Sequence, residues 1–518
     1  MLPDYRPEPL LDFSSPAQRE AQEKAIQAVF SRLGGDFPLI IGGEAVSTRE
    51  TFASLNPGDT GQVVGRVSRA GQEEAERALR TAEAAFTSWS RVPGPDRAAV
   101  LVKAAAIMRR RRHELNAWEM VEAGKTWAEA DADVAEAIDF LEYYAREMIR
   151  LSGPVPVTPL PGEKNEYFYI PLGPGAILPP WNFPLAILTG MTSAAVVSGN
   201  TVVLKPASAT PVIGAKFMEI LQEAGLPEGV VNFVPGPGDV VGDYLVSHPR
   251  VRFVSFTGSM EVGLRIHELA ARHQPGQKWL KRVVLEMGGK DAIIVDETAD
   301  LEEAASAIVT SAYGFQGQKC SACSRVIAVD DVYDELLDRV AERAAALRIG
   351  VPWDPATQVG PVSDAAAERK ILGYMDLGRQ EGRLVLGGGK AQVPGHPGYY
   401  LQPTIFADVD PKARIAQEEI FGPVLAFLRA PDFTAALQMA NDTVYGLTGS
   451  VFSRRRDRLI QAAQEFHVGN LYFNRKCTGA VVGVHPFGGF NLSGTDSKTG
   501  SPDHLLLFLQ GKAVSEKL

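Results

Sequence analysis

A chain of 518 residues is too long for one simple core, and at about 150 residues per domain it predicts roughly three structural units. Its 45% hydrophobic and 22% charged residues are ordinary for a soluble globular protein, and its net charge of -10 disfavours a nucleic-acid partner, because phosphate binding needs clustered Lys and Arg. Three cysteines are too few for a disulfide framework, so a reducing cytoplasm is the expected setting.

The N-terminal half is predicted to be helical before it becomes strand-rich. The first residues lack the basic and apolar regions of a secretion signal. From about residue 72 to residue 150, apolar positions recur at steps of three and four, which predicts helices. The basic run 109–112 is interpreted as a solvated helical face. The apolar stretch 185–197 falls short of the ~20 residues that cross a bilayer, so we predict a buried helix.

Strand-forming segments begin after residue 153. Residues 166–171 are rich in Tyr, Phe and Ile, which predicts that a hairpin over residues 153–171 projects from the helical layer. Short apolar strands separated by helical segments then follow, at residues 175–178, 201–204, 230–234, 252–256 and 283–285. Apolar strands that alternate with helices predict a parallel, doubly wound sheet covered on both faces.

A second strand and helix series starts near residue 292 and runs to about residue 483. It includes a predicted strand at 325–329 and a predicted helix at 333–347, and indicates a second α/β domain. The apolar tail 505–509 is predicted to be a strand without a local partner. An open strand edge invites pairing with another chain, so this tail and the 153–171 hairpin are candidates for subunit assembly. The alternative is an edge strand paired within the chain.

The residues that carry chemistry are a cysteine, a glutamate and an asparagine in three separate segments. Cys320 ends the run Gly-Gln-Lys-Cys, Glu286 ends an apolar strand and is followed by Met-Gly-Gly-Lys, and Asn182 lies in Pro-Trp-Asn-Phe-Pro. A thiolate can attack an aldehyde carbonyl, and a helix N-terminus or a positively charged nicotinamide would lower the thiol pKa. An amide and the Cys320 N–H could stabilise the oxyanion, and a carboxylate could activate the water that hydrolyses a thioester.

Each of these residues has a plainer interpretation when it is taken alone. A lone cysteine is usually a buried small hydrophobe, and the Cys320-x-x-Cys323 spacing is also found in redox and zinc sites. Glu286 could be an ion-pair partner and Asn182 a turn residue. No second C-x-x-C is present and the eight His show no ligand spacing, so we expect no metal. Cys323 and Cys477 are interpreted as non-nucleophilic.

A dinucleotide-binding fingerprint is present only in altered form. Gly236-Pro-Gly238 is followed by Gly242, one residue later than in G-x-G-x-x-G. Residues 251–263 supply a strand, a turn of small residues and a helix start, which together can present backbone N–H groups to a pyrophosphate. For this segment alone, a tight strand-to-helix turn without a ligand is the favoured interpretation.

In their order along nearly the full chain, these segments resemble the aldehyde dehydrogenase superfamily. The resemblance implies an α/β fold with a variant Rossmann cofactor domain, a second α/β catalytic domain and a β oligomerisation flap. It assigns residues 1–152 and 172–288 to NAD binding, 289–484 to catalysis, and 153–171 with 485–518 to an oligomerisation hairpin and C-terminal arm. It also implies that Cys320 is the nucleophile, Glu286 the base and Asn182 an oxyanion donor.

The same resemblance implies a cofactor site. Ser259 and the glycine-rich turn at Gly238 would lie beside the pyrophosphate, and Lys205 would reach the adenine ribose. Glu419 and Phe421 would hold the nicotinamide ribose and orient its ring, and Trp181 is a further candidate for cofactor binding. Ser208 stands where strictly NAD-dependent relatives often have Glu; since a carboxylate would repel a 2′-phosphate and Ser would not, NAD is expected and NADP stays open.

The segments 474–483 and 486–490 narrow the resemblance to the superfamily members that act on L-glutamate γ-semialdehyde. The resemblance implies that the N–H groups of Gly479 and Ala480 and the Ser321 hydroxyl hold the substrate carboxylate, because a glycine-rich turn can bind an anion through its backbone. Phe183 and Phe487 would sandwich the aliphatic chain. Glu136 is the candidate for the ammonium group.

The expected reaction is therefore oxidation of this semialdehyde to L-glutamate. The expected protein is a cytoplasmic homo-oligomer, and functional coupling to a proline dehydrogenase is a further expectation. General or other semialdehyde dehydrogenase activity is the alternative. Two further alternatives are a catalytically silent relative, which would lack the nucleophile or base, and a CoA-acylating enzyme, in which Glu286 would discharge the thioester too early. No membrane or nucleic-acid partner is expected.

Overall fold

The computed structural model describes residues 2–518, and its first unit extends to Glu286. The strands in this part are β1 (Gly35–Phe37), β2 (Leu39–Ile41), β3 (Glu44–Val46), β4 (Thr51–Asn56), β5 (Asp59–Ser68), β6 (Glu163–Pro171), β7 (Pro174–Leu178), β8 (Thr201–Leu204), β9 (Val231–Phe233), β10 (Phe253–Thr257) and β11 (Arg282–Glu286). The helices are α1 (Pro16–Phe30), α2 (Gln72–Trp89), α3 (Gly94–Arg110), α4 (Arg112–Glu122), α5 (Trp127–Leu151), α6 (Ala186–Val197), α7 (Pro211–Glu223), α8 (Asp243–Ser247) and α9 (Met260–Ala271).

Seven of these strands form one sheet in the order β11-β10-β7-β8-β9-β2-β3. Strands β7 to β11 are parallel, and the edge strands β2 and β3 are antiparallel. The chain proceeds from β7 to β8 and β9 on one side, then returns to β10 and β11 on the other side of β7. The strand order therefore reverses between β7 and β10, and ligands of open α/β sheets bind outside the carboxyl ends of the strands at such a point.

The second unit follows directly, since only residues 287–290 separate β11 from the next strand. Its strands are β12 (Asp291–Val295), β13 (Cys323–Val329), β14 (Arg383–Leu386), β15 (Thr404–Ala407), β16 (Val424–Ala430), β17 (Tyr445–Gly446), β18 (Thr448–Phe452), β19 (Asn470–Phe473), β20 (Phe490–Asn491) and β21 (Leu509–Lys517). Its helices are α10 (Leu301–Tyr313), α11 (Asp330–Ala345), α12 (Ala365–Glu381), α13 (Arg414–Gln417), α14 (Phe433–Asn441) and α15 (Arg456–Glu465).

The second sheet has the order β14-β15-β16-β13-β12-β18-β19, and only its edge strand β14 is antiparallel. Its strands β12 and β13 are almost entirely buried, as a parallel sheet covered by helices on both faces requires. Three smaller sheets are also present, of which one contains β1, β5 and β4, one pairs β17 with β20, and one pairs β21 with β6. The predicted α/β fold and its two parallel sheets are thus confirmed.

The predicted helices over residues 72–150 are confirmed as α2 to α5, and the stretch 185–197 forms the buried helix α6. No helix within residues 2–518 has both the length and the apolar character to cross a membrane. The interpretation of residues 109–112 as a solvated face is wrong for Arg112, which is buried and forms two 2.7 Å hydrogen bonds with Asp131. Arg109 pairs with Glu8 and Glu142, so the basic run holds helices together.

The C-terminal tail differs from the prediction in two ways. Residues 505–509 do not form a strand, because His504–Phe508 is a 3₁₀ turn whose Leu505 and Phe508 are fully buried in the core of the first unit. The strand β21 begins only at Leu509 and pairs antiparallel with β6 over nine residues. The predicted local hairpin over 153–171 therefore contributes one strand, and the tail of the same chain supplies its partner.

Candidate active site

The polar residues singled out in the first unit lie at one edge of its sheet. Asn182 follows β7, Lys205 follows β8, Ser259 follows β10 and Glu286 ends β11. Because these strands are parallel, their carboxyl ends meet at the same edge, at the point where the strand order reverses. The fold thereby brings together side chains that are up to about 100 residues apart in the sequence.

Cys320 and its neighbours lie at the amino edge of the second sheet, whereas the residues of the first unit lie at the carboxyl edge of theirs. Cys320 lies just before β13, and Glu419 and Phe421 lie just before β16, so all three occupy the amino edge of the second sheet. Residues 287–290, which connect the two units, pack against Cys320 and Glu419. A Cβ atom added to Gly289 would collide with the Cys320 carbonyl oxygen, and the Gly289 N–H donates to Glu419 Oε1 at 3.1 Å. The candidate site thus lies where the two sheet edges meet.

The loop that presents Cys320 contains unusual backbone. Phe315 and Gln316 have φ values of 49° and 57°, and Gly317 follows with 68°. Left-handed conformations cost non-glycine residues about 1–3 kcal/mol each and persist only where the surroundings enforce them. Here the buried Gln316 side chain donates to the Pro361 carbonyl at 2.6 Å, and the Gln318 Oε1 accepts from the Ser363 N–H at 2.9 Å. The loop that contains Cys320 is therefore held in place by hydrogen bonds to residues 361 and 363 of the second unit.

Asn182 is fixed beside this loop. Its side chain is buried, and its Nδ2 donates to the Gln318 carbonyl at 3.0 Å. An amide nitrogen has two hydrogens, so one remains for a second acceptor. At the other end of the segment, Asp133 on α5 accepts from the N–H groups of Leu185 and Ala186, both at 3.3 Å, and so anchors the start of α6. This geometry fits the oxyanion-donor role.

Glu286 is a buried carboxyl group with few charge partners. Ser497 Oγ donates to its Oε1 at 2.5 Å and the Gly489 N–H donates to its Oε2 at 3.3 Å. Burial nevertheless outweighs these bonds and raises the pKa of Glu286 to about 7. A carboxyl group that titrates near neutral pH is suited to accept a proton from water.

Cys320 itself is half-buried, and no helix begins at it, so the helix N-terminus considered above is absent. Burial raises the pKa of the Cys320 thiol far above its usual range, and the negative charges of Asp291, Glu419 and Glu286 raise it further. The thiol is therefore protonated in the free protein. A positive charge brought close by a ligand would favour the thiolate.

The residues expected around an adenosine diphosphate group suit a dinucleotide, whose nicotinamide ring can supply this positive charge. Ser259 caps α9 by accepting from the Val262 N–H at 3.3 Å, and the exposed start of this helix offers N–H groups to an anion. Lys205 is buried, and burial lowers its pKa to about 8. The turn Gly238–Gly242 passes over it: a Cβ on Gly242 would lie 3.8 Å from Lys205 Cε, whereas one on Gly238 would meet nothing within 4 Å. Ser208 is exposed at the same edge.

The residues expected around a nicotinamide group also lie together. The Trp181 ring packs edge-on against Phe421 with centroids 5.6 Å apart. Phe421 has a φ of 60°, a conformation that is strained for a bulky side chain. Glu419 is half-buried, and burial raises its pKa above the usual value. These residues and the adenosine-side cluster fit NAD, but roles at this site remain predictions.

The predicted carboxylate anchor lies beside the nucleophile loop. Cys477 Sγ donates to the Ser321 carbonyl at 3.4 Å, which joins the two segments. Gly479 has a φ of 75°, and within residues 2–518 neither its N–H nor that of Ala480 donates a hydrogen bond. Arg475 instead binds the carbonyl groups of the turn, at 2.9 Å from Thr478 O and 3.1 Å from Gly479 O. The turn thus offers two free donors to an anion.

The remaining substrate candidates are less completely defined. Phe183 lies under two cations, with Lys125 Nζ 4.3 Å and Lys319 Nζ 5.9 Å from its ring centre. Glu136 is half-buried on α5, and burial and the charge of Asp133 raise its pKa to about 8. Phe487 forms backbone hydrogen bonds with Thr499. The proposed Phe183 and Phe487 sandwich stays a prediction.

Sequence reasoning missed several polar residues of the site. Lys319, next to the nucleophile, pairs with Glu129 at 2.8 Å, and Lys125 is a fully buried cation 3.5 Å from Asp133. Ser497 binds the candidate base. A common serine in a loop carries no sequence signal, but the three carboxylates on α5 at positions 129, 133 and 136 share a helical face and could have indicated a charged cluster.

The other two cysteines, Cys323 and Cys477, are buried free thiols. Within residues 2–518, no three His, Cys, Asp or Glu side chains are grouped so that they could hold a metal ion. The side chains that the site brings together are a thiol, a carboxyl group and an amide donor.

Comparison with known proteins agrees with this geometry. The family model described as the aldehyde dehydrogenase family matches residues 45–514. A 1-pyrroline-5-carboxylate dehydrogenase of Geobacillus kaustophilus is 60% identical over 516 residues, with 100% of both chains covered. A solved 1-pyrroline-5-carboxylate dehydrogenase from Thermus with bound NAD has a TM-score of 0.98 at 56% identity, again with full coverage of both chains. Proline utilization A from Bdellovibrio bacteriovorus has a TM-score of 0.97 at 46% identity, covering 99% of this chain and 53% of that one.

Proposed function

Since the chain belongs to the aldehyde dehydrogenase family, we propose that it oxidises L-glutamate γ-semialdehyde, which forms from 1-pyrroline-5-carboxylate, to L-glutamate with NAD. The observation that carries the proposal is the pair of free N–H groups at Gly479 and Ala480. They follow Cys477, whose Sγ donates to the carbonyl of Ser321, the residue after the nucleophile. This anchor lets the enzyme select an aldehyde that carries a carboxylate. NADP use stays open, because Ser208 places no negative charge at the adenosine edge.

Catalysis begins at Cys320. The thiol proton passes to water, the sulfur attacks the aldehyde carbon, and the carbonyl oxygen becomes an oxyanion that the Asn182 amide and the Cys320 N–H stabilise. Losing one such donor costs about 2.7–4 kcal/mol of barrier. When bound, NAD supplies the acceptor for the hydride that leaves the aldehyde carbon. The carbon is thereby oxidised, and the acyl group remains on Cys320 as a thioester.

Glu286 completes the reaction. In its ionised form it removes a proton from water, the hydroxide attacks the thioester carbon, and the C–S bond breaks to release the acid and the thiol. Only the ionised carboxylate can act, so deacylation should become faster as the pH rises through about 7, the pKa of this group. The same base disfavours CoA-acylating activity, because it hydrolyses the thioester first.

The experiment that tests the function compares substrates. We expect kcat/KM for L-glutamate γ-semialdehyde to exceed that for unsubstituted aliphatic aldehydes by roughly 100-fold, the scale of two lost hydrogen bonds to a charged group. It should also exceed that for succinic semialdehyde, which lacks the ammonium group and whose carboxylate is one carbon closer to the aldehyde. The rates are measured as NADH formation under identical conditions. Comparable kcat/KM values for an aldehyde without the α-carboxylate would leave only a general aldehyde dehydrogenase.

Replacing residues of the anchor should weaken substrate binding. We expect Ser321→Ala to raise KM roughly tenfold or more, because it removes one hydrogen bond to a carboxylate. Gly479→Val should block the reaction while NAD still binds, since a β-branched residue is strained at a φ of 75° and would turn the N–H groups away.

The matched control for Gly479→Val is Gly276→Val. Gly276 has a φ of 83° and open space around it, so the backbone strain is the same but the position is outside the candidate site. Steady-state rates and NAD titrations are compared for both variants. Equal losses of activity in the two would show that strain alone is responsible and that the 479–480 turn is not an anchor.

The protein is further proposed to be a homo-oligomer, a dimer or an assembly of dimers, in which the β6–β21 ribbon and the rest of the 153–171 and 485–518 segments contact another subunit. A two-stranded ribbon is marginally stable by itself, and β21 is exposed beyond Gln510. Only a single bridge, between Val155 and Tyr167, adds to β6 outside this ribbon. A cytoplasmic location is supported by the three free cysteines. Functional coupling to a proline dehydrogenase is supported by the likeness to half of proline utilization A.

The ribbon can be tested by deletion. Removing residues 501–518 would also remove the buried Leu505 and Phe508, so aggregation of that variant would report loss of the core. Removing only residues 511–518 leaves these side chains in place, and we expect a folded monomer by size-exclusion chromatography with light scattering. An unchanged oligomer of the shorter deletion would show that the ribbon does not join subunits.

A further inference from the structure

A serine that none of the sequence motifs indicated donates a hydrogen bond to Glu286. Ser497 is 3% exposed, and its Oγ lies 2.5 Å from Glu286 Oε1. A hydrogen bond to a carboxylate is roughly twice as strong as one between neutral groups and also fixes the direction of the acceptor. The Gly489 N–H also donates to this carboxylate, at 3.3 Å, and so does the backbone N–H of Ser497.

Two glycines lie close to this carboxylate. A Cβ added to Gly488 would lie 3.2 Å from Glu286 Oε1, and one added to Gly494 would lie 3.3 Å from Oε2. Real Cβ atoms rarely come so close, so the two glycines provide the space in which the carboxylate lies. Glycines can make this space, but they cannot hold a side chain in it. The hydroxyl of Ser497 does so.

Ser497 is in turn held by the C-terminal segment. Thr499 Oγ1 is 3.2 Å from Ser497 Oγ and can donate to it, because the serine hydrogen points to Glu286. His504 Nδ1 donates to the Ser497 carbonyl at 2.9 Å, and its ring stacks on Tyr144 with centroids 5.4 Å apart. Tyr144 is fully buried on α5. The serine is therefore anchored in the core of the first unit.

We propose that Ser497 is a positioning residue for the reaction proposed above: its hydroxyl aims the Glu286 carboxylate and stabilises its ionised form during thioester hydrolysis. The inference rests on the proposed function, because it assumes that Glu286 acts on an acyl group at Cys320. It assigns to the segment after residue 485, which the sequence placed in the oligomerisation arm, a direct part in catalysis.

Few other groups can set the charge of Glu286. Lys498 favours its ionised form, but Lys498 Nζ is also 3.0 Å from Asp496 Oδ1. Across the site, Cys320 is a protonated thiol. His504 faces Ser497, and burial lowers its pKa to about 4, so it is neutral at physiological pH. The hydrogen bond from Ser497 is therefore the largest local influence that opposes the effect of burial on Glu286.

The test follows the pH dependence of deacylation without NAD or the semialdehyde. p-Nitrophenyl acetate transfers its acetyl group to the Cys320 sulfur and releases p-nitrophenol. The acetyl-enzyme is moved to buffers below and above neutral pH, and loss of the acetyl group is followed by intact mass. Ser497→Ala is compared with wild type, with Ser497→Thr, which keeps a hydroxyl, and with Ser501→Ala, a buried serine of the same segment that does not contact Glu286.

We expect Ser497→Ala to move the midpoint of the deacylation profile upward by about one pH unit or more. The reason is that the ionised Glu286 carboxylate loses the hydrogen bond that the Ser497 hydroxyl donates to it. Well below the wild-type midpoint the rate should fall about tenfold, and at high pH it should approach the wild-type rate. Ser497→Thr should restore the midpoint, and Ser501→Ala should leave it unchanged.

An unshifted midpoint in Ser497→Ala, or an equal fall in rate at every pH, would overturn the inference, since a merely structural serine lowers the rate without moving the profile. A wild-type protein that acquires no acetyl group on Cys320 would instead overturn the proposed nucleophile. The two failures are thus distinguishable in one series of measurements.

Discussion

Replacing Cys320 by Ala should abolish oxidation of the semialdehyde, with a loss in kcat on the order of 10⁵-fold or more, the scale seen when a catalytic nucleophile is removed. The physical reason is that no other thiol can take its place. Cys323 and Cys477 are buried, and Cys477 is committed to the Ser321 carbonyl. NAD binding should remain close to normal, because the residues that fit the adenosine group come from the first unit.

The measurement combines NADH formation with an NAD titration by fluorescence quenching or calorimetry. Cys323→Ala is the matched control, since it removes the buried thiol at the start of β13, three residues after Cys320, and we expect it to stay active. Near-normal turnover of Cys320→Ala would refute the assignment. Loss of NAD binding in that variant would indicate that the cysteine supports the fold and not the chemistry.

Replacing Glu286 by Gln should separate the two halves of the reaction. We expect a burst of NADH close to one per subunit, followed by turnover slowed by about 10²- to 10⁴-fold, the usual contribution of a general base. Glutamine keeps the shape and can still accept the hydrogen bond from Ser497. It also removes a negative charge that raises the pKa of the Cys320 thiol, so acylation should not be impaired.

Stopped-flow absorbance of NADH measures the burst and the slow phase in one experiment, with wild-type protein as the control. The burst requires thioester formation, and the slow phase reports its hydrolysis. Slow NADH formation without a burst would mean that Glu286 acts before or during hydride transfer. Unchanged steady-state turnover would mean that another group activates the water.

The sequence predicts those elements whose hydrophobic pattern matches the burial that they have in the folded protein. The apolar strands that became β7, β8 and β10 are buried on both faces, so composition alone indicates them. The tail at 505–509 has the same apolar composition, but it packs as a 3₁₀ turn against α5 and α6. In this conformation the side chains of Leu505 and Phe508 are buried in the core of the first unit. The strand after it is polar and exposed, and its pairing with β6 is set by tertiary contacts.

The residues of the candidate site likewise include some that the sequence indicated and others that only the structure reveals. Cys320, Glu286 and Asn182 were indicated by chemistry and by family resemblance, and the structure places their segments at one junction. Arg112 was predicted to be solvated because nothing in the sequence shows that Asp131 folds against it. Ser497 and Lys125 could not be predicted, because their roles arise from contacts with residues distant in the chain. Glycines 488 and 494 matter only through the space that they leave around Glu286.

The central claim is that the semialdehyde becomes a thioester on Cys320 and on no other residue. Its most direct test is to mix Glu286→Gln with NAD and L-glutamate γ-semialdehyde, quench the mixture in acid after the burst, and determine the mass of each cysteine-containing peptide. The account predicts that the peptide with Cys320 gains the mass of one glutamyl group and that those with only Cys323 or Cys477 gain nothing. A burst of NADH with an unmodified Cys320, or a glutamyl group on another residue, would contradict it.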